Sequence, residues 1–456
     1  MTNFGWASIA RLGLVQACLG SIVVLTTSTL NRVMVIELAL PALLPGLLVA
    51  FHYAVQITRP RMGHGSDVGG RRTPWIVGGM ALLGLGGVLA SIATAWMASQ
   101  RGPGIALAVL AFGLIGLGVS ASGTSLLVLL AKRVVPERRA AAATMVWLMM
   151  IAGFVVTAST TGQLLDPYSH TRLVLVTVGV ALVAFCTTLL AVYKLEGDAQ
   201  HEAPTLASGP AASKPGFREA LGQVWVEPEA RRFTIFVFVS MLAYSAQDLI
   251  LEPFAGTVFG FTPGQSTSLA GLQHGGVLVG MLLAAFAGTQ FGGRQIGTLR
   301  GWMVGGCLAS AVALSGLVIA GVSGPPWPLN FNVFALGVAN GSFSIAAIAS
   351  MMRLASEGRE AREGTRMGLW GASQAIAFGV GGLLGAVGSD LARRWMASSG
   401  AAYALVFLLE ALLFVLAAAL AMRIATGQPV RASRSIPNIP SVKFPRAQCV
   451  DMKEVM

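Results

Sequence analysis

Long apolar runs separated by short polar, often basic breaks constrain this chain more than any other feature of its sequence. A bilayer core of about 30 Å takes roughly 20 apolar residues per crossing helix. Twelve candidate spans are read at 8–29, 41–58, 74–97, 104–131, 140–162, 172–194, 232–252, 265–289, 300–322, 330–352, 366–388 and 402–424. No soluble core could hide them. Of the 456 residues 55% are hydrophobic and 11% charged, against about 25% charged in a soluble domain. The 56 glycines show no three-residue period and suit helices that pack closely in lipid. The sequence predicts an all-α polytopic membrane protein with 12 transmembrane helices, its principal partner being membrane lipid.

The net charge of +12 would suggest nucleic acid in a soluble protein. Here it is an orientation signal. With the N-terminus inside, the inner loops and tails hold 26 of the 31 basic residues, and the outer loops hold Arg32, Arg101, Arg172, Arg393 and Arg394. Positive loops stay cytoplasmic, so both termini are expected there, in a bacterial inner membrane, with no nucleic-acid partner. The first run has no basic segment before it and no small-residue cleavage site, and reads as a retained span. Cys18, Cys186, Cys307 and Cys449 are far apart, with no CxxC pair. Neither a metal site nor a disulfide framework is indicated.

One long polar loop, 195–231, divides the spans six and six. The expected organisation is an N-terminal half (1–194), a cytoplasmic linker (195–231), a C-terminal half (232–424) and a cytoplasmic tail (425–456). Within the linker, residues 217–226 could form a short surface helix. A shift of 223 residues lays Arg139 on Arg362, Trp147 on Trp370 and Gly162 on Gly385. Duplicated six-helix halves are the plan of the major facilitator superfamily. The loop from Gly63 through Asp67 and Gly70 to Arg71 and Arg72 resembles that superfamily's G-x-x-x-D-[RK]-x-G-R-[RK] motif. Its glycines allow a tight turn, Asp67 can cap a helix or meet an arginine, and Arg71 and Arg72 anchor the loop at the headgroups. Val68 replaces the usual basic residue, and the second-half copy has Gln290 where Asp67 stands.

Three segments carry a narrower resemblance: Thr29 to Leu38 with Asn31, Arg32 and Glu37; Arg59 to Pro74; and Ala246 to Gly256 with Asp248, Glu252 and Pro253. Together they are similar to the PucC-type family of bacteriochlorophyll delivery proteins. The segments Leu14 to Ala17 and Leu38 to Pro41 resemble most its branch associated with bacteriochlorophyll synthesis genes. The resemblance implies a photosynthetic membrane and a role in assembling light-harvesting or reaction-centre complexes. The protein would bind or deliver bacteriochlorophyll or a precursor, or guide antenna subunits.

Arg32 and Glu37 lie at the outer end of the first span, and Asp248 and Glu252, four apart, share one face of the seventh. A polar network or gate joining Arg32 to Asp248 or Glu252 is expected, since a lone charge at bilayer depth costs about 2.5–3.5 kcal/mol. A structural clamp, interfacial residues without a role, or a proton-coupling pair would look the same in sequence. His274, followed by Gly275 and Gly276, and His52 are the pigment-binding candidates. A neutral imidazole binds the magnesium of a chlorin, and glycine leaves room for a flat macrocycle. No metal bound directly by the protein is expected. A histidine hydrogen-bonded between helices is the plainer reading of each.

Glu410, an intramembrane acid in the last span, needs a partner or a proton and faces either another protein or a neighbouring helix. Gln16, Gln273, Asn340 and Gln374 line a cavity or bond between helices. GxxxxGK[ST] and HExxH are both missing, and no Ser-His-Asp set emerges. A non-enzyme is therefore expected. Secondary transport of a small organic solute and a scaffold for pigment-synthesis enzymes are the alternatives to pigment delivery.

Overall fold

The computed structural model describes residues 4–59, 71–196, 225–288, 297–356 and 363–424. Among the described residues, twelve helices build the bundle. They are α1 (Trp6–Glu37), α2 (Leu43–Val55), α3 (Thr73–Met97), α4 (Arg101–Arg133), α5 (Pro136–Leu165) and α6 (His170–Val192). After the linker come α7 (Pro228–Phe259), α8 (Pro263–Gly288), α9 (Leu299–Ser323), α10 (Leu329–Ser356), α11 (Glu363–Trp395) and α12 (Ser399–Met422). Among the described residues no strand occurs, and eleven of these helices are long and apolar enough to cross a membrane. The exception, α2, has 13 residues, about 20 Å at 1.5 Å per residue. The single turn Gln56–Thr58 extends it.

Local chemistry sets the helix starts. Proline opens α3, α5 and α7, where its missing N–H costs nothing. The side chains of Ser169, Thr298 and Ser398 accept from the first turns of α6, α9 and α12. Gly260, with φ of +69°, ends α7 in the left-handed conformation.

α1 is longer than the expected span 8–29. Its backbone stays helical to Glu37 through two π-helical turns, Leu25–Thr29 and Val33–Glu37. These turns carry Asn31 and Arg32 into the bundle instead of leaving them in a loop.

One apolar core lies among α1 to α6 and a second among α7 to α12. α5 packs on α8, and α2 on α11, so these pairs join the two groups of helices. α8 and α10 meet along a glycine seam. A Cβ on Gly276, Gly280, Gly337 or Gly341 would overlap the facing backbone, so only glycine permits that approach.

Gly63, Asp67 and Gly70 of the loop motif, Gln290 in its second-half copy, and the tail 425–456 lie outside the described residues, as does most of the linker 195–231. Arg71 is exposed. At Arg72 the chain enters α3, and the acid at this point is Glu196. Its carboxylate accepts the N–H groups of Arg72 and Thr73, each at 2.8 Å, and the Thr73 hydroxyl at 2.6 Å.

Candidate functional site

Polar contacts join the two groups of helices around the end of α1 and the neighbouring loops. Asn31 donates to the Leu249 carbonyl of α7 at 2.6 Å, and the Thr29 and Thr267 hydroxyls are 3.2 Å apart. Thr262 donates to Asp166 at 2.9 Å, and the Leu43 N–H donates to Asp390 at 2.8 Å. Arg32 is the anchor, at 1% exposure. Its guanidinium donates to the Phe261 carbonyl at 2.6 Å and pairs with Glu37 at 2.5 Å. Gly256 makes room for it, since a Cβ there would sit 3.0 Å from Nη2.

The expected ion pair of Arg32 with Asp248 or Glu252 is not what forms. Residues five apart lie on different faces of an α-helix, but a π turn, with its i to i+5 hydrogen bonds, stacks them. The turn Val33–Glu37 thus hands Arg32 a carboxylate from its own helix. Glu252 instead meets hydroxyls: Ser28 of α1, and Thr267 of α8 at 3.4 Å. Asp248, one turn back on α7, faces the Gln273 amide of α8.

Beside Arg32 and Glu37 opens a cleft of about 760 Å³ lined also by Asp166, Tyr168, Phe261 and Thr262. Tyr168 stands in the loop after α5 and bonds His170 at 3.0 Å. Burial, reinforced by the Glu37 carboxylate, pushes its phenol up to about 12, with Arg32 pulling the other way.

Deeper in the bundle, Tyr53 of α2 and Tyr244 of α7 flank Phe378 of α11, with ring centroids 5.7 and 5.8 Å apart. His274 lies on the other side of the interface, against Phe154 of α5 (centroids 5.0 Å, edge-on at 86°). Its Nδ1 is 2.8 Å from the Ala270 carbonyl. A carbonyl only accepts, so Nδ1 carries the proton and Nε2 keeps a free lone pair. A Cβ added at Gly275 would meet nothing within 4 Å, whereas Gly276 is consumed by the seam with α10. Of the two glycines, only Gly275 borders unfilled space.

His52 is placed differently. Arg59 donates to Gln56 Oε1, so the Gln56 amide turns its N–H toward His52 Nε2, at 2.8 Å. That lone pair is taken, and Nδ1 is buried without a partner among the described residues. The structure thus gives different surroundings to two histidines that the sequence ranked only by neighbouring glycines, His274 first. Glu410 turns inward, buried, and neither carboxylate oxygen has a partner among the described residues. It faces neighbouring helices and not the outside of the bundle.

Two features were missed in sequence. The clasp of Glu196 on α3 spans 124 residues, with no local motif to announce it. The hydroxyls around Glu252 are ordinary serines and threonines, which carry no pattern until a helix interface gathers them.

A family model described as PUCC protein matches residues 29–428. The chain is 52% identical over 440 residues to the bacteriochlorophyll synthase 44.5 kDa chain of Rhodobacter capsulatus, covering 96% of this chain and 99% of that one. Protein PucC of the same organism is 30% identical over 432 residues, with 91% of each chain covered. Among solved structures, a D-xylose-proton symporter superposes with a TM-score of 0.70 at 14% identity, covering 92% of this chain and 98% of that one. The nucleoside transporter NupG gives 0.62 at 12%, covering 92% and 100%. At such identities the likeness is one of fold.

Proposed function

Since the chain belongs to the PUCC protein family and has the major facilitator fold, we propose that it binds bacteriochlorophyll or a precursor and delivers it within the membrane. The recipients are light-harvesting or reaction-centre polypeptides of a bacterial inner or intracytoplasmic photosynthetic membrane. Both termini lie on the cytoplasmic side, following the basic loops. The protein is a carrier and not a catalyst, although a relative is named a synthase chain. In that setting it works beside pigment-synthesis enzymes.

The observation that carries this reading is the free Nε2 of His274. A chlorin magnesium takes an axial ligand, and a neutral imidazole whose other nitrogen is tied to a carbonyl is well oriented to supply one. The Ala270 carbonyl fixes the ring, Phe154 holds its edge, and Gly275 leaves the neighbouring volume open. The test is the absorption spectrum of the protein purified in mild detergent from a bacteriochlorophyll-producing host. A stoichiometric long-wavelength chlorin band is expected, lost in His274→Ala with the fold intact. A colourless, folded wild-type protein overturns the reading.

Secondary transport of a small organic solute is the second reading. The cleft of about 760 Å³ beside the Arg32–Glu37 pair favours it, because that pair offers both signs of charge to a polar ligand. Solute uptake into vesicles carrying the pigment-free protein would support it.

A further inference from the structure

Glu252 is 1% exposed and has no cationic partner among the described residues. The nearby Arg32 is neutralised by Glu37 and turned to the Phe261 carbonyl. The carboxylate borders a narrow void, too tight for water, where α1, α5, α7 and α8 meet. The polar groups around it are the hydroxyls of Ser28, Thr29, Thr157, Thr161 and Thr267, and the remaining walls are Val24, Leu25 and Ala158. Ser28 and Thr267 bond the carboxylate, Thr29 bonds Thr267, and Thr157 is turned to Ser21. Thr161, also 1% exposed, has its oxygen buried without a partner among the described residues. The π turn Leu25–Thr29 brings two consecutive hydroxyls, Ser28 and Thr29, to the same void. Such turns mark functional positions more often than chance.

We propose that Glu252 and the hydroxyls of Ser28, Thr29, Thr161 and Thr267 form a binding site for a small monovalent cation, sodium, between the two groups of helices. The donor set is all oxygen with a single negative charge, which one monovalent ion balances. A divalent ion would be left with excess charge, and magnesium keeps waters for which the void has no room. Transition metals favour nitrogen and sulfur, and neither lines the void. A proton on Glu252 would satisfy the acid but leave Thr161 unpartnered, whereas a cation engages both. Ser28, Thr29 and Thr161 belong to α1 and α5, Glu252 and Thr267 to α7 and α8, so a bound ion ties the two groups together. The proposal goes beyond pigment delivery and does not depend on it.

The experiment is thermal unfolding of the purified full chain in NaCl, KCl or choline chloride at equal ionic strength, with binding of radioactive sodium alongside. Sodium is expected to raise the midpoint saturably, by about 1 °C for each fivefold shift in the folding equilibrium of a chain this long. Potassium does so less and choline not at all. Glu252→Gln abolishes the rise and the bound sodium, while Glu229→Gln, on the surface, keeps both. Where Glu252→Gln fails to fold, Thr161→Val, nearly the same in volume, decides by weakening sodium binding about tenfold. Equal midpoints in all three salts overturn the proposal. So does a midpoint that rises with acid and ignores sodium, which identifies a proton site.

Discussion

Arg32 and Glu37 are five residues apart in one helix and form an ion pair at 2.5 Å, because the backbone between them is π-helical. The pairing is local, but its effect is not. It neutralises the buried arginine whose guanidinium holds the Phe261 carbonyl at the start of the loop into α8.

Glu37→Gln leaves that buried charge without its carboxylate, a change that costs about 3–5 kcal/mol when both partners are buried. Glu37 keeps 31% side-chain exposure, so a loss of about 1–3 kcal/mol is expected. The double change Arg32→Leu with Glu37→Leu should recover most of it. Denaturant unfolding in detergent measures both, and a double variant no better than the single one removes the pair from the account.

Tyr168 makes an alkaline prediction. Its folded value near 12 lies above the usual tyrosine value of about 10. The folded state therefore holds the phenol proton more tightly, and this contribution to stability is full below pH of about 10 and lost between about 10 and 12. Tyr168→Phe should flatten the stability profile in that window. Glu37→Gln should lower the Tyr168 transition in an ultraviolet titration, since the carboxylate reinforces the upward push.

His52 and His274 should respond differently to alanine. His52→Ala removes the acceptor for the Gln56 amide and is expected to destabilise by about 1–3 kcal/mol while leaving any chlorin band in place. His274→Ala should do the reverse. A band lost equally in both variants would place the ligand elsewhere.

Removing the clasp on α3 tests a contact far apart in sequence. Glu196→Ala deprives the Arg72 and Thr73 N–H groups of a charged acceptor and is expected to cost about 1–2 kcal/mol. Hydrogen exchange in the first turn of α3 should quicken selectively. Unchanged exchange there would mean that water takes over the capping.

Gly341→Val drives a side chain into the Val277 backbone of α8, and overpacking of this kind costs about 1–3 kcal/mol or more. A midpoint within error of wild type would show that α8 and α10 can part locally.

The helices were legible because their apolar length is physically imposed, although α1, α7 and α11 run seven or eight residues past their expected ends. Polar Asn31 and charged Arg32 look like a loop until π turns fold them inward. The sequence placed Arg32 and Glu252 near each other across the interface but paired them, since α-helical spacing gives no reason to join residues 32 and 37. The adjacent glycines put His274 ahead of His52 in the sequence, but they say nothing of what holds each ring. What separates them is a carbonyl one turn back for His274 and the amide orientation of Gln56 for His52. The void at Glu252 is assembled from four helices, and no linear spacing encodes it.

The seam between α8 and α10 bears on traffic. His274, Gln273 and Thr267 all ride on α8, and α8 has almost no freedom relative to α10. Anything leaving the side of His274 that faces α5 must therefore shift two helices as one body, with the lipid around both. Such collective displacements run in microseconds to milliseconds, far slower than a side chain turning. The cargo's residence time would then be set by the weight of that moving pair and only weakly by the strength of its one nitrogen ligand.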